Sequence, residues 1–147
     1  FWENHILTGM PTPYTEADAR DYIAFARTAG EGAYAFAIAE DGVAVGSIQL
    51  TRQQNIHRRT AELGYYVVRR RWGAGICTEA VRQICRFAFE NTDVLRIFAE
   101  PFAENAASCR VLEKAGFQLE GVLRRNAVKN GQVRDMRLYS LVREDLE

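Results

Sequence analysis

Several things are missing from this 147-residue chain, and each absence narrows what it can be. No apolar run approaches the roughly 18 residues that a membrane-spanning helix needs. The opening residues do not read as a secretion signal. Net charge is zero, from 19 basic and 19 acidic residues, which argues against a general nucleic-acid binder. The three cysteines, Cys77, Cys85 and Cys109, form no C-x-x-C pair and no metal-ligand spacing. They read as reduced thiols of a cytoplasmic protein rather than as a disulfide framework or a metal site. Cys77 and Cys85 share one expected helix, about 12 Å apart along its axis, too far for a bridge. There is no internal repeat and no low-complexity tract.

What is present is an ordinary globular mixture, 48% hydrophobic and 26% charged. The length suits one domain that buries roughly two thirds of its unfolded surface. Positive charge is concentrated even though the total is zero. Arg52, Arg58, Arg59, Arg69, Arg70, Arg71, Arg82 and Arg86 fall within residues 52–86. Such clustering suits a small anionic ligand better than a long polyanion.

Turn residues and hydrophobic periods give the order of elements. Pro11 and Pro13 mark a turn, after which Thr15 caps a helix over 15–30. Strands over 34–39 and 43–51 flank Asp41-Gly42, a strong hairpin signal. A polar connection over 52–59 leads to a strand over 60–68. A helix over 76–91 places Ile76, Ala80, Ile84 and Phe87 or Ala88 on one face. A strand over 94–100 is closed by Pro101. A helix over 106–115 has Gly116 at its C′ position. Strands over 117–128 and 133–142 surround Asn130-Gly131. This order describes one α+β unit with a mixed sheet.

Between the strand over 60–68 and the helix over 76–91 lies Arg70-Arg71-Trp72-Gly73-Ala74-Gly75. Glycines at a strand-to-helix turn let the backbone approach a ligand. The first helical turn adds unpaired N–H groups and the positive end of the helix dipole. Together these make an anion site, most often for phosphate. The turn is not a P-loop, because no Lys-Ser or Lys-Thr pair comes after its second glycine. Nor is it the dinucleotide fingerprint, which needs three glycines. By itself it also fits a glycine turn with a solvated basic rim.

The chain resembles the GNAT acetyltransferase superfamily, and within it the RimJ/RimL-like branch. Arg70, Gly73 and Gly75 are similar to the family's Gln/Arg-x-x-Gly-x-Gly/Ala phosphate motif. Glu62-Leu63-Gly64-Tyr65-Tyr66-Val67 resembles that branch's fourth strand, and Thr78-Glu79-Ala80 the start of the next helix. Asn105-Ala106-Ala107-Ser108 with Val111-Leu112-Glu113-Lys114-Ala115-Gly116-Phe117 resembles its Asn-x-x-Ser and Leu-Glu-Lys-x-Gly-Phe block. Leu119 to Arg124 and Asp135 to Leu141 complete the similarity. The resemblance implies a single N-acetyltransferase domain over 1–147 with a mixed, mostly antiparallel sheet. Its central strands would splay apart and be flanked by helices. It also implies that the family's first strand and much of its first helix precede Phe1.

By the same resemblance the cosubstrate is acetyl-CoA, with no metal. Arg70, Arg71, Trp72, Gly73, Ala74, Gly75, Ile76, Cys77 and Thr78 would hold its phosphates. Tyr66, Val67 and Val68 would pair with the pantetheine arm as an added strand. The Val67 N–H would face the thioester oxygen and stabilise the oxyanion.

The chemistry of acetyl transfer then asks for a base and an acid. Glu62, mid-strand in an apolar run, is the base candidate, with Glu100 and His57 behind it. Glu62 also reads as a carboxylate paired with a nearby arginine. Alternation places Glu62, Gly64 and Tyr66 on one face of the strand. By the resemblance to RimL-like enzymes, Ser108 is the candidate donor of a proton to the departing thiolate, and Asn105 a pantetheine ligand. The plainer readings are a first-turn serine bonded to a backbone N–H and a helix N-cap. The acceptor would be a primary amine, either a protein N-terminus or a small amine, lined by residues 4–14 and 53–59. No nucleic acid or membrane partner is expected, and a homodimer is compatible. The rival function is a non-catalytic acyl-CoA sensor or scaffold, which would need only the phosphate turn.

Overall fold

The computed structural model describes residues 6–7, 33–40, 43–67 and 75–146. The expected helix over 15–30 and most of the glycine turn lie outside the described residues. Among the described residues seven strands form one sheet in the order β1-β2-β3-β4-β5-β7-β6. They are β1 (Ile6–Leu7), β2 (Ala33–Glu40), β3 (Val43–Arg52), β4 (Thr60–Val67), β5 (Arg96–Ala99), β6 (Gln118–Lys129) and β7 (Gln132–Val142). The helices are α1 (Ile76–Asn91) and α2 (Ala106–Lys114). All neighbouring strands are antiparallel except β4 and β5. Those two run parallel because α1 carries the chain back across the sheet between them, as a parallel pair requires.

Both expected hairpins are present. Glu40 pairs with Val43 around Asp41-Gly42. Lys129 pairs with Gln132 around Asn130 and Gly131. The backbone φ angles of Asn130 and Gly131, 52° and 74°, are both positive. A two-residue hairpin that matches the strand twist demands this, and Asn-Gly supplies it at least cost.

The buried face of α1 carries Ile76, Ala80, Val81, Ile84, Cys85 and Ala88. These spacings of three and four are the stripe the sequence displayed. They pack on Ile48 and Leu50 of β3, Leu63 and Val67 of β4 and Ile97 of β5. Cys109 and Leu112 of α2 join the same core, so both helices lie on one face of the sheet. Phe87, half-buried, meets Phe36 and Tyr34 edge-on at 5.4 and 6.1 Å between ring centres. The end of α1 is tied down by Arg143, which donates to the carbonyls of Thr92 and Val94 at 3.0 and 2.6 Å. All three cysteines are free thiols. Among the described residues no helix is long and apolar enough to cross a membrane.

One irregularity positions an ion pair. In the β6–β7 ladder Leu119 pairs with Tyr139 and Gly121 with Leu138, so Glu120 is an extra residue in a bulge. Its carboxylate crosses β7 to meet Arg96 of β5 through two bonds of 2.7 and 2.8 Å. Ser140 Oγ donates a third at 2.6 Å. The Arg96 and Ser140 bonds hold Glu120 down at about 2, against an ordinary 4.5.

Candidate functional site

The site begins with two strands that part. β4 is paired with β3 along its whole length, from Arg52–Ala61 to Gly46–Val67. With β5 it is paired only over Thr60–Arg96, Ala61–Ile97 and Glu62–Phe98. Beyond Glu62 the ladder between β4 and β5 stops. The cause lies just past the end of β5. Pro101 has no N–H to offer β4. The chain stays instead with β7, through Arg137 N donating to Pro101 O and Ala103 N to Asp135 O, both at 2.9 Å. The Phe102–Met136 bridge continues that association. β5 therefore peels away from β4, and the expected splay is present.

A cavity of about 350 Å³ occupies the gap. One wall is Tyr65, Tyr66 and Val67 of β4. The second is the first turn of α1 with the residue before it: Gly75, Ile76, Cys77 and Thr78. The third is α2, from Asn105, Ala107 and Ser108 to Arg110, Val111 and Lys114. Gly75 caps α1 in the left-handed region, at φ 80°. That conformation suits glycine, and a Cβ there would meet only open space.

The starts of both helices thus face one hollow, each presenting unpaired backbone N–H groups and a positive dipole end. No carboxylate is among the described residues that line the cavity, and two cationic side chains are. The electrostatics favour an anionic ligand. Of the residues expected to hold the cosubstrate or donate its proton, Tyr66, Val67, Gly75, Ile76, Cys77, Thr78, Asn105 and Ser108 all line this cavity. Val68, Arg70, Arg71, Trp72, Gly73 and Ala74 lie outside the described residues.

The first turn of α2 separates the two readings of its polar residues. Asn105 is the N-cap, its Oδ1 accepting from Ser108 N at 3.1 Å. The Ser108 hydroxyl is not spent on a backbone N–H. It lies 2.7 Å from the hydroxyl of Tyr65, with either oxygen able to donate, and the one Tyr65 hydrogen also has the Ser108 carbonyl within reach at 3.2 Å. Tyr65 was absent from the sequence-based candidates, although its position carried a signal. Alternation that sends Glu62, Gly64 and Tyr66 to one face sends Ala61, Leu63, Tyr65 and Val67 to the core face. A phenol among core residues needs a partner for its hydroxyl. Burial, partly offset by the Ser108 bond, pushes the Tyr65 hydroxyl up to about 12. Burial likewise raises the Cys77 thiol to about 11, so it stays protonated near neutrality.

The base candidates fall elsewhere. Glu62 is exposed on the other face of β4 and does not line the cavity. Four residues along a strand place it about 13 Å from Tyr66. No ion pair joins it to another described residue. Its pKa is raised by desolvation and then by the like charge of Glu100. The two carboxylates therefore form a pair on the open face. His57 sits exposed in a short 3-10 turn, Asn55–His57. The connection over 53–59 leads into the start of β4, close to Glu62 in the chain and at the opposite end of the strand from the cavity. Among the described residues no group of histidine, cysteine and carboxylate side chains could hold a metal ion.

Comparison with known proteins bears on this geometry. Residues 2–118 match the Acetyltransferase (GNAT) domain. The chain is 37% identical over 99 residues to a Bacillus subtilis protein named Uncharacterized N-acetyltransferase YoaA, covering 67% of this chain and 55% of that protein. It is 37% identical over 109 residues to Probable N-acetyltransferase YjcK of the same organism, covering 74% and 60%. The chain thus spans 55–60% of the length of these relatives. Among solved structures it is similar to Mycobacterium smegmatis RimJ in complex with CoA-disulfide, with a TM-score of 0.74 and 28% identity over 98% of this chain and 71% of that one.

Proposed function

We propose that this chain, which belongs to the GNAT acetyltransferase family, transfers the acetyl group of acetyl-CoA to a primary amine by direct attack in a ternary complex. The observation that carries the reading is the parting of β4 from β5 beyond Glu62, in a gap bordered by the starts of two helices. Pantetheine is an amide chain, and an exposed strand edge can take it as an added strand. The pyrophosphate lies at the start of α1, at Gly75 and the amides of residues 76–78, and the sequence just before them, with Arg70, Arg71 and Gly73, supplies positive charge and a backbone without a side chain in the way. Val67, at the cavity end of β4, lines the hollow where the thioester is held.

The amine arrives from the face that carries Glu62 and Glu100, opposite the helices. An ammonium cannot attack, so a proton must leave it first. Glu62, with a raised pKa, accepts it through water, because its carboxylate is too far from the cavity for direct contact. As the tetrahedral intermediate collapses, the C–S electron pair goes to sulfur and Ser108 gives the thiolate a proton. The acceptor is a peptide N-terminus or a small neutral to acidic amine.

The test is release of free thiol from acetyl-CoA in the presence of amines, with peptides bearing free N-termini and small amines as the panel. Thiol release that depends on an amine and yields its acetylated product supports the reading. Tight CoA binding with no turnover on any amine would instead favour an acyl-CoA sensor.

A further inference from the structure

Tyr65 belongs to β4 yet touches the reacting corner of α2. Its ring is partly buried and packs on the core. Its hydroxyl lies 2.7 Å from Ser108 Oγ, inside hydrogen-bond range, and 3.2 Å from the Ser108 carbonyl. Both residues line the cavity. The backbone N–H of Ser108 is already committed to Asn105, so α2 holds the serine in one place while Tyr65 addresses its side chain. When the phenol's one hydrogen turns from the carbonyl to Oγ, a donor direction the 2.7 Å contact allows, the serine's own hydrogen is left to point into the cavity.

We propose that Tyr65 is a positioning residue that orients the Ser108 hydroxyl and passes it a proton as the thiolate leaves. This deepens the acetyltransferase reading and rests on it. Atoms and charge balance in the step. The C–S bond breaks and its electron pair goes to sulfur. The Ser108 O–H proton goes to that sulfur, and the Tyr65 O–H proton goes to Ser108 Oγ. The nitrogen loses one proton before attack, which goes to solvent through Glu62, and a second as the neutral amide forms; that second proton, passed through water, restores the phenol on Tyr65.

Chemistry favours two groups over one. An alcohol is about as weak an acid as water, whose pKa is ~15.7. A phenol is the stronger acid of the pair, even with burial pushing Tyr65 to about 12. The relay leaves the negative charge on the phenol rather than on an alkoxide. The titratable groups facing Tyr65 from the packed helices are Cys77 of α1 and Cys109 of α2. Both are thiols, and neither supplies a competing positive charge.

The test is a double-mutant cycle on acetyl transfer. Tyr65→Phe keeps the ring in the core and removes only the hydroxyl. Its kcat should fall about tenfold, with the KM for acetyl-CoA and the affinity for CoA within about twofold of the parent. Because Tyr65 acts through Ser108, Tyr65→Phe/Ser108→Ala should be no slower than Ser108→Ala. A Tyr65→Phe protein at full kcat, a change confined to KM, or losses that multiply in the double variant would each overturn the proposal. The proton inventory of kcat in mixed light and heavy water, run on the unaltered protein, is a check independent of folding. A curved inventory fits two protons in flight, and a linear one overturns the relay. If Ser108→Ala transfers acetyl at the full rate, the role of Ser108 itself fails. If Ser108→Ala is slow while Tyr65→Phe is not, only the relay fails.

Discussion

Gly46 of β3 is the residue whose replacement should reach the site most directly without touching it. It pairs with Val67, at the cavity end of β4. A methyl group at this position would overlap the Tyr66 carbonyl oxygen. It would also stand 2.9 Å from Val67 Cα and 3.0 Å from the Tyr66 carbonyl carbon, against 3.4 Å or more for ordinary contact. The first of these two distances sets the least movement, since 3.4 less 2.9 asks β4 to retreat by 0.5 Å, and the overlap with the carbonyl oxygen asks for more. These neighbours are backbone atoms, which cannot rotate aside as a side chain would. Overpacking of this kind costs about 1–3 kcal/mol. At roughly 2–4 °C per kcal/mol for a domain of this size, Gly46→Ala should melt about 2–12 °C lower. The wall that moves is Tyr66–Val67, so CoA affinity should fall as well. Gly64 is the control. It lies on β4 itself, and a Cβ there would meet Gln49 at 3.6 and 3.7 Å, ordinary distances to a movable side chain. Gly64→Ala should leave stability within about 0.5 kcal/mol or raise it slightly. Thermal melts and CoA titration of the two variants side by side decide the matter. If Gly46→Ala melts and binds like Gly64→Ala, the close approach of β3 to β4 does not shape this cavity.

Ser108→Ala should lower kcat roughly 10²-fold while CoA affinity stays nearly unchanged, because the proton is needed only as the thiolate leaves; steady-state kinetics with CoA titration checks both halves. Glu62→Gln should cost most activity at about pH 6–7, where the acceptor is almost wholly ammonium, and less as pH approaches the amine's own value of ~8 or ~10. Glu100→Gln should move the acid limb of the pH–rate profile to lower pH, because the like charge that helps raise the Glu62 pKa is gone; a limb that stays put removes Glu62 as the base. Glu120 is held at about 2, so the folded chain has released a proton that the unfolded chain keeps below 4.5. The stability this contributes is complete above pH 4.5 and is lost as pH falls towards 2. The carboxylate is 39% exposed, so screening limits it to about 1 kcal/mol. Glu120→Gln should therefore melt lower than the parent at pH 7, and the two melting curves should converge near pH 2–3.

Local chemistry was legible in the chain wherever one residue decides one backbone feature. Asn130-Gly131 specified a two-residue hairpin because few other pairs accept two positive φ angles. Asn105 reads as a cap, and Gly116, at φ 99°, as a helix C′ residue, for comparable reasons. The stripe of α1 was set by period alone, since a helix must bury one face. The ordered blocks from Glu62 to Leu141 carried the family, and with it the expectation of parted strands. What period and motif do not carry is distance between elements far apart in sequence. The splay exists because Pro101, Phe102 and Ala103 stay with β7 rather than β4, a choice made by hydrogen bonds to Asp135 and Arg137 more than thirty residues later. The 43-residue separation of Tyr65 and Ser108 hid their contact, although alternation had placed the phenol on the core face. Glu62 and Glu100 became neighbours only when β4 and β5 paired in parallel. Sequence determined which groups the site could contain, and the register of β4 against β5 and β7 decided which of them meet.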